Sequence, residues 1–306
     1  MRGWDLLSIL DLDPQHILDI VHRARQMSGE PAWPVLVGKN VALLFEKPSL
    51  RTKASFHVAV QQLGGYSFYM GPGEVELGAR EAVSDVARVL SRYVDCIVAR
   101  VNSHSSLKEL AEYASVPVIN ALSDWEHPCQ TIADLQTIHE RKGTLEGLKI
   151  TYIGDGNNVA RSLCLGLASV GANFTIASPP GYRLDEETLE QARQRASAWN
   201  TDVTALVDPR EALSNADVVY TDVWTSMGQE AEAEARRRDF QGYTVDPDLL
   251  SCARWDAIFM HDMPAHYGEE VAPGMLDHPQ SVAFDQAENR LHAQKALLEY
   301  IIIRDG

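Results

Sequence analysis

The 306-residue sequence predicts an α/β protein with two doubly wound domains, each built on a central parallel sheet flanked by helices. Short apolar runs, such as residues 41–45, 96–99 and 257–260, alternate with segments of helical apolar spacing along the chain. The length suits two domains of about 150 residues each. Because strands joined by helices pair in parallel, we expect both faces of each sheet to be covered.

Composition and charge exclude several classes of protein. The chain is 45% hydrophobic and 23% charged, as expected of a globular protein with sizeable cores. Its net charge of −16 argues against nucleic acid or an anionic membrane as a partner and leaves small molecules. The four cysteines are scattered without metal-ligand spacing, which favours reduced thiols. With no signal-peptide pattern and no apolar run that could span a bilayer, we expect a soluble cytoplasmic protein.

The elements of the first domain, residues 1–142, each have a local signal. Asp13-Pro14 opens a helix that runs to about Met27, and Pro48 fits the turn after a buried strand at 41–45. The Gly-rich segment 71–80 is a loop that either reaches a neighbouring subunit's site or is solvated. The other predicted elements of this domain are helices at 54–63, 82–93, 106–114 and 131–140, and strands at 66–70, 96–101 and 116–120.

The turn after the first strand carries an unusual charge pattern. Ser49 stands at a helix N-cap position, with Arg51 and Lys53 in the first turn. Cations are unfavourable there, because the helix dipole and the free N–H groups already make the N-terminus positive. A bound phosphate would resolve this by accepting bonds from the backbone, the hydroxyls and a bidentate guanidinium. The alternative is a solvated helix start with ordinary basic residues.

Polar side chains also follow two other strands of this domain. Arg100 closes the strand at 96–99, and His127 and Gln130 lie in a loop before the helix at 131–140. The carboxyl ends of parallel strands lie on one edge of a sheet, where ligands bind, so these side chains can converge with Ser49 and its neighbours. Taken singly, Arg100 could be an edge charge and His127 a helix-start residue.

The second domain, residues 143–286, begins with a strand, a tight Gly154-x-Gly156 turn and a helix, which is the first unit of a doubly wound sheet. A dinucleotide site is disfavoured, because Val159 occupies the third glycine position and no acidic residue closes the next strand at 172–178. Asn157 and Asn158 at the helix start are better suited to hold a carboxylate or amide.

Two later strands of the second domain, at 216–220 and 257–260, lead into polar loops at 221–228 and 261–266. Both loops follow strand carboxyl ends, the position at which doubly wound sheets bind ligands. The charged, helix-prone segment 229–238 is expected to form a solvated face beside the first of these loops.

The ordered motifs resemble those of the aspartate/ornithine carbamoyltransferase family, and within it the members that act on ornithine. The motifs span nearly the whole chain: Ser49-Leu50-Arg51-Thr52, His127-Pro128-Cys129-Gln130, Gly154-Asp155-Gly156-Asn157-Asn158, Asp222 with Ser226-Met227-Gly228, His261-Asp262-Met263-Pro264 and Glu288-Asn289-Arg290. The resemblance implies transfer of the carbamoyl group of carbamoyl phosphate to an amine, without metal or organic cofactor. It also implies a C-terminal helix, residues 287–306, that packs back on the first domain, and a homotrimer, or a multiple of trimers, with active sites between subunits.

The resemblance also assigns roles to individual residues. Those implied to bind carbamoyl phosphate are Ser49, Leu50, Arg51, Thr52, Arg100, His127, Gln130 and Arg290. Those implied to bind the acceptor amino acid are Asn158, Asp222, Ser226, Met227, Asp262 and Met263. The catalytic set within them is Arg51, Arg100, His127, Gln130, Asp222 and Asp262. The loop that carries Ser226 is expected to close over the site and exclude water.

Three positions depart from the family pattern. Leu50 stands where the family usually has Thr, Asp262-Met263 replaces Cys-Leu, and Tyr267 lies where Arg is common. A carboxylate at position 262 would favour the protonated, non-nucleophilic amine, unless it binds another cationic group or acts as the base. We therefore expect carbamoyl transfer to ornithine or a closely related amino acid. A changed acceptor and a non-catalytic carbamoyl phosphate-binding relative remain as alternatives.

Overall fold

The computed structural model describes residues 4–29, 34–74, 76–226 and 228–303. They form two compact units: unit 1 holds the described residues up to Gln136 and those from Glu288 onward, and unit 2 is Thr137–Ala287. Each unit contains a parallel sheet flanked by helices, so the predicted α/β class is confirmed. We propose the domain limits predicted from the sequence: residues 1–142 together with the helix at 287–306 for the first domain, and residues 143–286 for the second.

Unit 1 is organised around a parallel sheet whose described strands follow the order β2-β1-β3-β4. Its elements are a 3₁₀ helix (Ile9–Asp11), α1 (Pro14–Gly29), β1 (Asn40–Phe45), α2 (Leu50–Gln62), β2 (Tyr66–Met70), α3 (Val83–Leu90), β3 (Cys96–Arg100), α4 (His104–Tyr113), β4 (Val118–Leu122) and α5 (Pro128–Lys142), which continues into unit 2. The β1 and β3 strands are buried almost throughout, as expected for the inner strands of a covered parallel sheet.

Unit 2 contains a second parallel sheet, whose described strands follow the order β7-β6-β5-β8-β9. Its elements are β5 (Lys149–Ile153), α6 (Asn158–Ser169), β6 (Asn173–Ala177), α7 (Glu186–Ser197), β7 (Val203–Leu206), α8 (Pro209–Leu213), β8 (Val218–Thr221), a 3₁₀ helix (Glu230–Glu232), α9 (Ala233–Asp239), α10 (Pro247–Leu250), β9 (Ile258–His261), a 3₁₀ helix (Met275–Asp277) and the start of α11 (Ala283–Ile303). The strand order reverses at β5, which lies between β6 and β8. The carboxyl ends of β5 and β8 therefore flank the switch point at which doubly wound sheets bind ligands.

The C-terminal helix α11 returns to unit 1, as predicted. Its Glu299 accepts a hydrogen bond from Arg23 Nε of α1 at 2.6 Å, and Lys295 Nζ donates to the Met27 carbonyl at 3.2 Å. None of the described helices is both long and apolar enough to cross a membrane. Helix α11 thus supplies unit 1 with polar side chains from the far end of the sequence.

Candidate active site

In unit 1, the predicted site residues lie at the carboxyl ends of three adjacent strands. Arg100 is the last residue of β3 and pairs in register with Phe45, the last residue of β1. Ser49 follows β1 at the start of α2, and His127 follows β4 immediately before α5. Helix α5 begins at Pro128, three residues earlier than predicted, because proline is well suited to the first helical position. Gln130 consequently lies in its first turn rather than in a loop.

The N-terminus of α2 is built as the sequence indicated. Ser49 Oγ accepts a hydrogen bond from the backbone N–H of Thr52 at 3.3 Å, and this cap starts the helix at Leu50, so that Arg51 and Lys53 lie in its first turn as predicted. The Leu50 side chain is 80% exposed, while Arg51 is partly buried. Lys53 Nζ lies 3.7 Å from the centre of the Tyr69 ring, a cation–π contact. Arg51 is therefore the first-turn cation that we expect to bind an anion.

A guanidinium from α11 connects α2 and α5. Arg290, only 4% exposed, donates from Nη2 to Thr52 Oγ1 at 2.6 Å and from Nη1 to Gln130 Oε1 at 2.5 Å. Gln130 in turn donates from Nε2 to Asp134 Oδ1 at 2.9 Å. Three of the residues predicted to bind carbamoyl phosphate thus form one buried hydrogen-bonded group, in which each side chain holds the orientation of the next.

His127 is held in its neutral form beside this group. It is 2% exposed, and burial lowers the pKa of its imidazole well below the ordinary value, with Arg290 and then Arg100 lowering it further. A neutral imidazole can donate one hydrogen bond to a carbonyl oxygen near pH 7 without first taking up a proton. His127, Arg100 and Arg290 together make a cationic, donor-rich surface suited to a small anion.

In unit 2, the turn after β5 and the exit of β8 are joined by an amide–carboxylate hydrogen bond. Asn157 caps α6 by accepting from the N–H groups of Val159 and Ala160 at 3.0 Å, and its Nδ2 donates to Asp222 Oδ2 at 2.8 Å. The next residue, the partly buried Asn158, is the asparagine predicted to bind the acceptor.

A buried phenol, Tyr152 at the end of β5, lies among the unit 2 carboxylates and was not singled out from the sequence. Burial raises the pKa of its hydroxyl well above the ordinary value, and the charges of Asp222, Asp262 and Asp155 raise it further, in that order. Asp262 is 8% exposed. Asp222 and Asp262 thus act on the same buried hydroxyl, and two carboxylates in this part of unit 2 suit the binding of ammonium groups. Nothing but its place at a strand end could have indicated Tyr152.

The position of Asp262 is set by its two neighbours and by Glu270. His261 Nδ1 accepts from the Met263 N–H at 2.8 Å, so the ring proton is on Nε2, which lies 3.2 Å from Glu270 Oε1. The same Glu270 oxygen accepts from the backbone N–H of His266 at 2.5 Å. His261 and Glu270 are both fully buried. This pair, which sequence reasoning missed, holds the backbone on either side of Asp262.

The same loop contains a group of potential metal ligands. The ligand atoms of His266, Glu269 and Glu270 lie within 4.8 Å of one another. Glu269 is, however, ion-paired with Arg237 Nε at 2.9 Å, and Glu270 accepts the hydrogen bonds that organise the loop. We therefore assign these carboxylates to the structure of the loop.

The loop after β8 carries the remaining predicted acceptor residues. Ser226 is partly buried, and its backbone N–H donates to Gln229 Oε1 at 3.1 Å. Met227 lies outside the described residues. The expectation that 229–238 forms a solvated face is wrong for Arg236, which is buried and ion-paired with Asp155 at 2.7 Å. One sequence signal could have indicated that Arg236 is buried, since Arg236 precedes the apolar Phe240 by four residues and so lies on the same helical face.

Comparisons with known proteins cover both units. Residues 4–140 match the family model described as "Aspartate/ornithine carbamoyltransferase, carbamoyl-P binding domain", and residues 146–301 match "Aspartate/ornithine carbamoyltransferase, Asp/Orn binding domain". The chain is 51% identical to an ornithine carbamoyltransferase of Hyperthermus butylicus, over 99% of this chain and 98% of that one. It is 48% identical to an ornithine carbamoyltransferase of Pyrococcus furiosus that is described as anabolic, over 99% of this chain and 97% of that one. A solved ornithine carbamoyltransferase structure from P. furiosus superimposes with a TM-score of 0.94 at 49% identity, covering 98% of this chain and 97% of that one.

Proposed function

Because the chain belongs to the aspartate/ornithine carbamoyltransferase family, we propose that it transfers the carbamoyl group of carbamoyl phosphate to the side-chain amine of ornithine, giving citrulline and phosphate. Relatives that carry the name ornithine carbamoyltransferase match nearly the whole chain at about half identity. A changed acceptor and a non-catalytic relative, the alternatives left open by the sequence, are not favoured by this similarity.

The observation that carries the proposal is the buried group formed by Arg290, Thr52 and Gln130 beside Arg100 and His127. Carbamoyl phosphate presents a dianionic phosphate next to a carbonyl group, and this group offers cations and hydrogen-bond donors for both. Burial strengthens these interactions, because the local dielectric constant is low. We do not expect such a concentration of buried donors and cations in a protein whose ligand is neutral.

The phosphate would be bound at the N-terminus of α2. There Ser49 and Thr52 offer hydroxyls, Leu50 offers its backbone N–H in place of the hydroxyl of the family's threonine, and Arg51 offers a guanidinium. Arg100 completes the cationic pocket. Binding the phosphate in this way also stabilises the leaving group, since the negative charge that it gains when the carbon–oxygen bond breaks meets cations already in place.

The carbonyl group would be addressed by His127, Arg100 and Thr52, and its amide nitrogen by Gln130. As the amine adds to the carbonyl carbon, negative charge develops on the carbonyl oxygen, and donors already in place stabilise it. His127 acts as a neutral donor in this role, because its lowered pKa keeps the ring unprotonated. The carbon–nitrogen bond forms, phosphate departs, and the amine gives up a proton to it.

The acceptor would be bound by unit 2. The α-carboxylate meets Asn158 and the backbone of Met227, and the α-ammonium meets Asp222 and Ser226. Asp262, with Met263 beside it, would receive the side-chain ammonium and take its proton, which frees the lone pair for attack. Two carboxylates near Tyr152 suit an amino acid with two amino groups better than one with a single amino group.

The proposal is tested by measuring phosphate and citrulline release from carbamoyl phosphate with ornithine, lysine, 2,4-diaminobutyrate, putrescine and aspartate. We expect turnover with ornithine to exceed that with every other amine by at least tenfold. Asp262→Asn should slow ornithine turnover and move the acid limb of the rate–pH profile, whereas Asp262→Cys, which restores the usual family residue, should keep turnover. Preference for another amine, or binding of carbamoyl phosphate without phosphate release for any amine, would overturn the assignment.

The family resemblance further supports a cytoplasmic homotrimer that works in arginine biosynthesis, the direction named for the anabolic P. furiosus relative. Light scattering should then give a particle of about three times the 33.9 kDa chain mass. A mass that equals one chain at micromolar concentration would exclude the trimer. Loss of arginine-independent growth when the gene is deleted would support the biosynthetic role, and unchanged growth would count against it.

A further inference from the structure

The two strands that end just before the predicted acceptor carboxylates are joined by one buried side chain. Gln286, in the first turn of α11, is fully buried. Its Oε1 accepts a hydrogen bond from the backbone N–H of His261, the last residue of β9, at 2.9 Å, and its Nε2 donates to Tyr220 Oη in β8 at 3.0 Å. A single amide thus joins the two strands one residue before Asp262 and two residues before Asp222.

The position of Gln286 follows from how the chain passes from an extended segment into a helix. The segment before α11 runs beside β9, where Phe259 N–H donates to the Gln280 carbonyl at 2.8 Å and Val282 N–H donates to the Phe259 carbonyl at 2.9 Å. The next N–H on this edge of β9 is that of His261, two residues further on. The Val282 carbonyl cannot serve it, because α11 begins there and this carbonyl accepts from the Gln286 N–H at 2.8 Å. The Gln286 side chain supplies the acceptor instead.

Tyr220 continues this link to the turn after β5. Its ring stacks on that of Tyr152, its register partner in β5, with the centroids 5.6 Å apart, and both residues are fully buried. Tyr152 Oη lies 3.5 Å from Asn157 Oδ1, and Asn157 Nδ2 donates to Asp222 Oδ2 at 2.8 Å. Asp222 Oδ1 accepts from the backbone N–H of Val223 at 2.7 Å. The Asp222 carboxylate is therefore held through both of its oxygens.

An amide suits both partners of this link. The buried N–H of His261 needs an acceptor, and Tyr220 Oη accepts from a donor, so the side chain between them must offer one oxygen and one N–H group. An ionised carboxylate would offer the oxygen without the donor. An apolar side chain would leave the N–H of His261 without its acceptor, which is costly inside a protein. Both functional groups of Gln286 are thus used to join β8 and β9.

We propose that Gln286 is a positioning residue that sets the spacing between Asp222 and Asp262 and thereby selects the acceptor amino acid by its chain length. This inference rests on the proposed function, in which Asp222 meets the α-ammonium group and Asp262 the side-chain ammonium group. Two carboxylates held at one spacing favour ornithine over lysine, which is one methylene group longer. When the link between β8 and β9 is lost, the spacing varies and the discrimination falls.

The test compares Gln286→Leu and Gln286→Glu with Gln280→Leu as a matched control. Gln280 lies on the same chain segment, and its Nε2 donates to the Ala257 carbonyl at 2.7 Å, at the end of β9 remote from Asp262. We expect Gln286→Leu to lower the ratio of kcat/KM for ornithine to kcat/KM for lysine at least about fivefold. Gln286→Glu should lower this ratio less, since its carboxylate still accepts from His261. Gln280→Leu should keep the ratio of the unmodified protein.

The ratio separates a positioning role from a merely structural one, because a general loss of folded protein lowers turnover with ornithine and lysine alike. The KM for carbamoyl phosphate, whose predicted ligands lie in unit 1, should stay within about twofold of the unmodified value. If Gln286→Leu does not fold, Tyr220→Phe, which removes only the hydroxyl that accepts from Nε2, should lower the ornithine-to-lysine ratio in the same direction.

Amide hydrogen exchange tests the link without any activity. Exchange in a peptide covering residues 258–262 should be faster in Gln286→Leu, because the N–H of His261 loses its acceptor, and unchanged in Gln280→Leu. Absence of turnover by the unmodified protein with every amine would refute the proposed function. Normal ornithine turnover with an unchanged ornithine-to-lysine ratio in Gln286→Leu, or unchanged exchange in that peptide, would overturn the present inference alone.

Discussion

Acidification from pH 6.5 to 5.5 should destabilise this protein through His127. Its folded-state pKa lies well below the ordinary value of 6.5, mainly because the ring is buried and also because Arg290 and Arg100 repel a third positive charge. Below pH 6.5 the unfolded chain takes up a proton at this position and the folded protein does not. The stability due to the neutral ring is therefore complete above pH 6.5 and is lost as the pH falls toward the folded-state pKa. Proton linkage at one such site amounts to about 1 kcal/mol across this interval.

The assay is urea unfolding of the unmodified protein and of His127→Gln at both pH values. The other nine of the ten histidines and all carboxylates are the same in both proteins, so the difference between the two pH-dependent losses isolates His127. We expect the unmodified protein to lose about 1 kcal/mol more than His127→Gln. Equal losses within about 0.3 kcal/mol would show that His127 protonates as readily in the folded state as in the unfolded state. The neutral-donor role assigned to it in carbamoyl transfer would then be refuted.

Three further predictions concern the packing around the two predicted binding regions. Thr52→Val removes the oxygen that accepts a hydrogen bond from Arg290, and a hydrogen bond to a charged group contributes about 1.5–3 kcal/mol. The kcat/KM for carbamoyl phosphate should therefore fall at least about tenfold in steady-state assays. An unchanged value would show that Thr52 does not orient Arg290. Glu270→Ala should lower the free energy of unfolding by about 2–4 kcal/mol, because the buried Nε2–H of His261 loses its acceptor. Glu270→Gln keeps an oxygen at this position and should cost clearly less. Equal losses for the two variants in urea unfolding would contradict the role of Glu270 as the acceptor. Gly156→Ala should destabilise the protein by about 1–3 kcal/mol, because the added Cβ would lie 2.3 Å from the backbone nitrogen of Leu184. A melting temperature equal to that of the unmodified protein would show that the turn has room for the methyl group.

Much of the fold could be predicted from the sequence because its signals are local. The Ser49 cap depends on a contact between residues three apart, and the apolar runs at 41–45 and 96–99 are long enough only for strands. The alternation of such runs with helices predicts parallel sheets, and their carboxyl ends predict where polar side chains gather. Boundaries were less accurate, as at α5, where the helix begins at Pro128 rather than residue 131.

Roles were harder to predict than positions, because a charged side chain has the same local signature whether it is solvated or buried. Arg236, Arg237 and Arg238 are identical letters in one short helix, yet only the first is buried against Asp155. Tyr152 looks like any strand residue until the fold shows that carboxylates after β8 and β9 raise the pKa of its buried hydroxyl. Their identification required the packing of elements that are distant in sequence.

The sequence by itself determined which segments are strands and helices, which loops bear cations or carboxylates, and the family to which the chain belongs, because these depend on residue type and on spacing over a few positions. The tertiary structure alone decided that Arg290 meets Thr52 across 238 positions of the chain, that Arg236 meets Asp155 across 81, and that His127 is neutral. The physical reason is that burial and long-range pairing, which set the strength of each hydrogen bond and the pKa of each group, are properties of the packed chain and not of any segment within it.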